Sequence, residues 1–132
     1  MQSYKGWSPE FRQASLKLTN KAKKLGWIPE PKTCRRCGQD KGILHLHNED
    51  YDVTYNTLTE CLSRFPVSIT EQEHSEINRV LEPICWRCHM MHHSMKRNVK
   101  AVELYFAEVM QGKQWPPVFR HDFTILNRDH GL

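Results

Sequence analysis

Ile84-Cys85-Trp86-Arg87-Cys88-His89-Met90-Met91-His92-His93 is the stretch on which the fold turns. It sets a Cys-x-x-Cys pair directly ahead of a histidine-bearing helix. A second pair, Cys34 and Cys37, lies upstream, and the string Leu44-His45-Leu46-His47-Asn48-Glu49-Asp50-Tyr51 stands between the two pairs. A Cys-x-x-Cys turn brings two sulfurs to one ion without strain, and two such turns complete the four-ligand tetrahedron that Zn²⁺ prefers. Cys34, Cys37, Cys85 and Cys88 therefore predict one structural Zn²⁺ site; the competing arrangement is a mixed site of Cys85, Cys88 and a following histidine. Four sulfurs leave no position for water, so this site holds the fold and performs no chemistry. The segment between Cys37 and Cys85 exceeds an ordinary finger loop and is expected to fold on its own, pinned at its base.

A helix starting near Cys85 places His89 and His93 on one face, four residues apart. The alternation of Ile43, Leu44 and Leu46 with His45 and His47 predicts a strand with both histidines on one side. An imidazole from that strand and one from the helix can hold a divalent cation with positions left for water and phosphate, an arrangement suited to stabilising charge in phosphodiester cleavage.

Outward from this centre, Ser8-Pro9-Glu10 reads as a helix start, with Ser as cap, Pro at the first position and an acid in the first turn. Phe11, Ala14, Leu18, Ala22 and Leu25 form the apolar stripe of a helix over residues 8–26, ended by Gly26. Cys34-Arg35-Arg36-Cys37-Gly38 reads as a tight knuckle. Asp40-Lys41-Gly42 signals a turn, so a short hairpin is expected within residues 34–52. Residues 53–83 read as a less regular insertion, except that Thr70 and Glu73 form a capping box ahead of a short helix burying Ile77, Val80 and Leu81. Asn98 is expected to cap a helix over residues 98–112, with Val102, Tyr105, Phe106, Val109 and Met110 inward. Residues 113–132 read as a tail packed on the surface.

The whole is expected to be a single α+β domain of 132 residues. The formal net charge of +4 permits a polyanionic partner without demanding one. The longest apolar runs fall far short of the roughly 20 residues of a membrane span, and Met1–Phe11 lacks the apolar core of a secretory signal. An intracellular, cytoplasmic protein is the expectation, a setting in which paired cysteines bind metal more often than each other. Cys61 stands alone and reads as a small half-buried side chain. Oligomeric state leaves no mark in the sequence.

The order Cys-x-x-Cys, histidine-bearing strand, Ile-Cys-x-x-Cys-His-x-x-x-His resembles the HNH endonucleases, over residues 34–97. The resemblance implies a zinc-stapled ββα-metal core flanked by the N- and C-terminal helices. It implies divalent-metal-dependent cleavage of DNA phosphodiesters with Mg²⁺ or another divalent cation. By position, His47 and His93 match the catalytic metal ligands and His89 a supporting residue. Asp50-Tyr51 match the end of the family's strand motif, where the carboxylate supports the loop. Asn48 falls where the family keeps the histidine that acts as general base.

A carboxamide cannot accept a proton near neutral pH, so Asn48 cannot fill that role. His45, on the same strand face as His47, is the best replacement; Glu49 or Asp50 are alternatives, or no side chain acts as base. The alternative reading is a catalytically inactive module that binds nucleic acid or docks a protein. The family's middle asparagine has no counterpart at the expected position, Asn56 and Asn78 both being misplaced. Lys96 and Arg97, just after the metal helix, and Arg87 within the second knuckle are the expected phosphate contacts, which bind without reading sequence. His74, His121 and His130 lie outside every motif and read as solvated.

Overall fold

The protein is described here by a computed structural model, covering residues 6–132. It mixes helix and strand, and these residues cluster into two compact units. One comprises the chain up to Glu30 together with Asn48–Glu82; the other comprises Pro31–His47 and Pro83–Leu132. Among the described residues, no helix is long and apolar enough to cross a membrane.

The first unit holds α1 (Pro9–Lys24), α2 (Tyr51–Ser63) and α3 (Glu71–Val80). Ser8 caps α1 by accepting a hydrogen bond from the Phe11 amide at 3.1 Å, and Pro9 occupies the first turn, where its missing N–H costs nothing. The buried line of α1 is Ser15, Thr19 and Ala22, small residues flanked by the half-buried Phe11, Ala14, Leu18 and Leu25. The stripe read from apolar residues thus marks the rims of the contact. Small side chains occupy its centre, and their hydroxyls bond locally: Thr19 Oγ1 to the Ser15 carbonyl at 2.9 Å, Ser15 Oγ to the Tyr51 carbonyl at 3.5 Å.

Helix α2 corrects the expectation of an irregular segment. Its run of Val, Thr and Tyr has weak helix propensity, but Thr54, Leu58 and Cys61 recur at helical spacing and are buried. Asp50 caps it, Oδ1 accepting from the Asp52 and Val53 amides at 3.0 and 3.2 Å. The capping box on α3 forms as read, with Thr70 and Glu73 bonding each other's backbone amides. Cys61 is fully buried, and desolvation pushes its thiol up to about 11.

The second unit contains most of the two-stranded antiparallel sheet, α4 (Trp86–His93), α5 (Val99–Met110) and α6 (Thr124–His130). Strand β1 (Leu44–Asn48) pairs with β2 (Leu81–Cys85), not with a neighbour inside residues 34–52. The expected local hairpin is absent, and Leu81 opens a strand instead of closing a helix. The reason lies in the Gly42 turn. Its φ is +76°, and a Cβ there would collide with the carbonyl of Val118, which accepts from the Ile43 amide at 2.7 Å. The backbone before β1 is thereby committed to the C-terminal segment.

That segment is more than a surface tail. Val118 and Leu126 join Ile84, Trp86, Met91, Val102, Tyr105 and Val109 in one apolar core, and Leu126 is 0% exposed. Met110, expected inward, is 88% exposed. It sits at the last residue of α5, where the helix has already turned past its packed face. His130 is half-buried, its ring 4.4 Å from that of Trp115 and 4.9 Å from that of Tyr105. Burial first, and then the positive charge of Arg87, lower its pKa to about 4.

The unfolded chain therefore binds this proton at a pH where the folded chain refuses it, and stability drains away as pH falls from about 6.5 toward 4. Denaturant titrations at pH 7 and pH 5 should show His130→Gln losing less stability between the two than the wild type. Equal losses would remove His130 as a source of the acid sensitivity.

Candidate metal centres

The two Cys-x-x-Cys turns are built differently and meet. In the first, the Gly38 amide donates to the Cys34 carbonyl at 2.9 Å and the Cys34 amide to the Gln39 carbonyl at 2.8 Å, with Gly38 at φ +78°. The C-terminal segment clamps this knuckle: Gln114 Nε2 donates to the Cys37 carbonyl and Gln39 Nε2 to the Trp115 carbonyl, both at 3.1 Å. The second turn is the start of α4. Cys85 is its N-cap, Sγ accepting from the Cys88 amide at 3.4 Å, so both sulfurs sit at the positive end of the helix, where thiolates are favoured.

The four sulfurs of Cys34, Cys37, Cys85 and Cys88 lie within 4.8 Å of one another. The 3.7 Å between Cys37 Sγ and Cys85 Sγ matches the tetrahedral edge, about 3.8 Å, set by Zn–S bonds of about 2.3 Å. This group can hold a metal ion. The thiols titrate against one another. Hydrogen bonds, first from Cys37 and then from Cys85 and Cys88, pull Cys34 far below the ordinary range. Those from Cys34, Cys37 and Cys85 push Cys88 far above it. Four clustered thiolates cannot all persist without a cation to replace their protons.

Tyr105, from α5, completes the surroundings, its hydroxyl 3.0 Å from Cys88 Sγ. Against a Cys88 thiolate, the form that binds metal, the phenol is the donor, which holds the sulfur in place and spreads its charge. Tyr105→Phe should weaken metal retention by roughly tenfold or more in chelator competition. Retention equal to the wild type would show that the hydroxyl only fills space.

The histidine group lies in the same unit. Ligand nitrogens of His47 from β1 and His89 and His93 from α4 all lie within 4.8 Å of one another. His89 Nε2 and His93 Nε2 stand 2.9 Å apart, close to the 3.0–3.4 Å or so expected of neighbouring nitrogens on one ion at about 2.1 Å. These residues too can bind a metal. Helix spacing brings His89 into the set alongside His93, so the residue expected only to support the site stands among its candidate ligands. Burial and then the charges of His93, His47, His45 and His92 hold His89 down to about 3. It is neutral at physiological pH, the form that ligates.

The other expected site residues divide. His45 is half-buried on β1, its ring 5.2 Å from that of His89 and 5.6 Å from that of His121. His121 is exposed, as read, with its ring stacked on that of His45 and 6.1 Å from that of Trp86. Asn48 and Asp50 belong to the first unit. Asn48 is buried, its Oδ1 accepting from Thr54 Oγ1 at 3.1 Å and the Asp50 amide at 3.2 Å, and Asp50 is the α2 cap.

Arg87 is a correction. It is only 3% exposed, donating to Asp129 at 2.9 Å, His130 Nε2 at 2.9 Å and the Pro116 carbonyl at 3.1 Å. Its charge is neutralised inside the fold and cannot meet a phosphate. Deleting one partner of such a buried pair typically costs about 3–5 kcal/mol. Lys96 and Arg97 are exposed in the turn after α4, with Arg97 4.9 Å over the Phe123 ring. No protein family, curated protein or solved structure matches the chain.

Proposed function

We propose that the chain is an HNH-like endonuclease that hydrolyses DNA phosphodiester bonds with a divalent cation, and that its four cysteines hold a structural Zn²⁺. The convergence of His47, His89 and His93 carries this reading. It agrees with the ligand pattern that the motif implies, with β1 and β2 paired although α2 and α3 separate them in the chain, and α4 following β2 directly. An all-imidazole set favours Zn²⁺, Ni²⁺ or a similar transition cation over Mg²⁺, which prefers oxygen. Once bound, the cation would supply positive charge for the phosphate and its leaving oxygen. His47, His89 and His93 would hold it; the His45 imidazole would take the proton from the attacking water; Lys96 and Arg97 would bind backbone phosphates.

One observation favours a second reading, a nucleic-acid-binding module without chemistry. Asn48 stands at the usual general-base position, and its side chain is engaged in organising the start of α2. Supercoiled plasmid incubated with Mg²⁺, Mn²⁺, Ni²⁺ or Zn²⁺ separates the two. Nicking that disappears in His93→Ala supports the nuclease. Salt-sensitive binding without nicking, unchanged in His93→Ala, supports the binder.

A further inference from the structure

The outer side of α1 is cationic and polar, and neither candidate metal centre uses it. Gln13, Lys17, Asn20, Lys21 and Lys24 are all exposed. At 3.6 residues per turn they fall within an arc of about 100°. The buried line of Ser15, Thr19 and Ala22 lies on the opposite side of the helix. No acidic residue occurs between Glu10 and Glu30. Glu30 shares a recess with Lys23 and Lys24, but its carboxylate is paired with Lys23 at 3.8 Å, and Lys23 lies outside the arc. Glu10 stands in the first turn, where its charge meets the positive end of the helix, about 10 Å along the axis from Lys17. Among the described residues, no ion pair engages Lys17, Lys21 or Lys24.

Helix polarity explains part of this row. Lys21 and Lys24 lie in the last turn, where the negative end of the helix favours cations. Lys17 lies a turn earlier, and the effect fades beyond the last turn. Like charges three and four residues apart also work against a helix, so local stability does not account for the row. A polyanion would turn that repulsion into attraction. Lys17 to Lys24 spans about 10.5 Å of helix axis, close to the rise of three phosphates along one strand of duplex DNA at about 3.4 Å each. Gln13 and Asn20 add amide N–H donors for phosphate oxygens on the same line. An anionic lipid surface fits less well, because it needs an apolar strip to bury beside the cations. Among the described residues of α1, Leu16 alone is large, apolar and exposed.

We infer that the exposed face of α1 is a docking surface for duplex DNA, with Lys17, Lys21 and Lys24 each neutralising a backbone phosphate. This rests on DNA being the partner, as proposed above, and adds a binding surface carried by a different element from the histidines. Such contacts hold the duplex without reading its sequence.

The test uses the full-length, metal-loaded chain. Anisotropy of a labelled duplex oligonucleotide is followed over a series of salt concentrations, with plasmid nicking in parallel. One variant combines Lys17→Gln, Lys21→Gln and Lys24→Gln. A charge control combines Asn56→Asp, Gln72→Glu and Ser75→Asp, which removes the same net charge at exposed positions of α2 and α3. The lysine triple should lower the salt slope by about 2.7, at about 0.9 per phosphate of B-DNA, and weaken binding roughly tenfold or more at low salt. The charge control should keep the wild-type slope, because the slope counts phosphates contacted and not net charge.

A wild-type slope in the lysine triple overturns the inference, and the nuclease reading stands if the wild type still nicks. A wild type that never nicks, with the slope reduced in the triple, sinks the nuclease and retains the docking surface. An equal fall in the charge control traces the effect to net charge and overturns the inference. So does a wild type that floats with phosphatidylserine vesicles and leaves the duplex unbound. Glutamine is nearly as good a helix former as lysine, so the triple should fold. Should it not, acetylation of the wild type decides: protection of Lys17, Lys21 and Lys24 by added duplex supports the docking surface, and unchanged labelling overturns it.

Discussion

Cys88→Ser is expected to abolish metal retention and with it the cooperative unfolding of the second unit. Cys88 is 0% exposed and packs among Ile84, Trp86, Met91 and Tyr105, so its sulfur is both a candidate ligand and part of the core. A serine there replaces a thiolate by a hydroxyl that stays protonated near neutral pH, and so removes one corner of the tetrahedron. Structural zinc sites contribute roughly 10–16 kcal/mol of apparent binding free energy, comparable to or larger than the 5–15 kcal/mol or so by which whole domains are stable. The effect therefore exceeds what the remaining core can absorb. Elemental analysis should report loss of one metal ion per chain, zinc on the proposed reading, and thermal unfolding should lose its sharp transition. A metal-free variant that still melted sharply near the wild-type temperature would show that the four sulfurs are ornamental.

The second large effect concerns the proposed nuclease activity. His93→Ala removes one of the three imidazoles that approach one another, and nicking should fall by three decades or so, about 4 kcal/mol of barrier. Metal content at the cysteines should persist, because His93 lies at the far end of α4, away from Cys85 and Cys88. His45→Ala should cost roughly two or more decades, the usual range for a general base, with metal content intact. A wild-type rate in His45→Ala would take that residue out of the proposed mechanism. A wild-type rate in His93→Ala would remove the histidine centre altogether.

Much of the local architecture was open to reading. Ser8-Pro9, the Thr70–Glu73 box and Asn98 name their helices because a cap is a contact between residues two or three apart, and the amino acids that make it are few. Helix α2 escaped because its stability comes from burying Thr54, Leu58 and Cys61, not from propensity. The strand pairing escaped because β1 and β2 are far apart in sequence, and nothing in Asp40-Lys41-Gly42 shows that the chain after it turns to Val118. Arg87 was misread for the same reason. Its partner Asp129 lies near the far end of the chain, and a basic residue beside a candidate site looks identical whether its charge is met by substrate or by carboxylate.

By itself, the order of residues determined that two cysteine pairs and a histidine pair on one helical turn would exist, since these follow from spacing along a backbone of known pitch. The tertiary structure decided which groups could act together. It set the cysteine pairs within reach of one ion, added His47 to His89 and His93, placed Tyr105 on Cys88, and withdrew Arg87 and Asn48 into structural roles. Those outcomes depend on long-range packing, where the identity of a neighbour is set by which surfaces exclude water together and not by position in the chain.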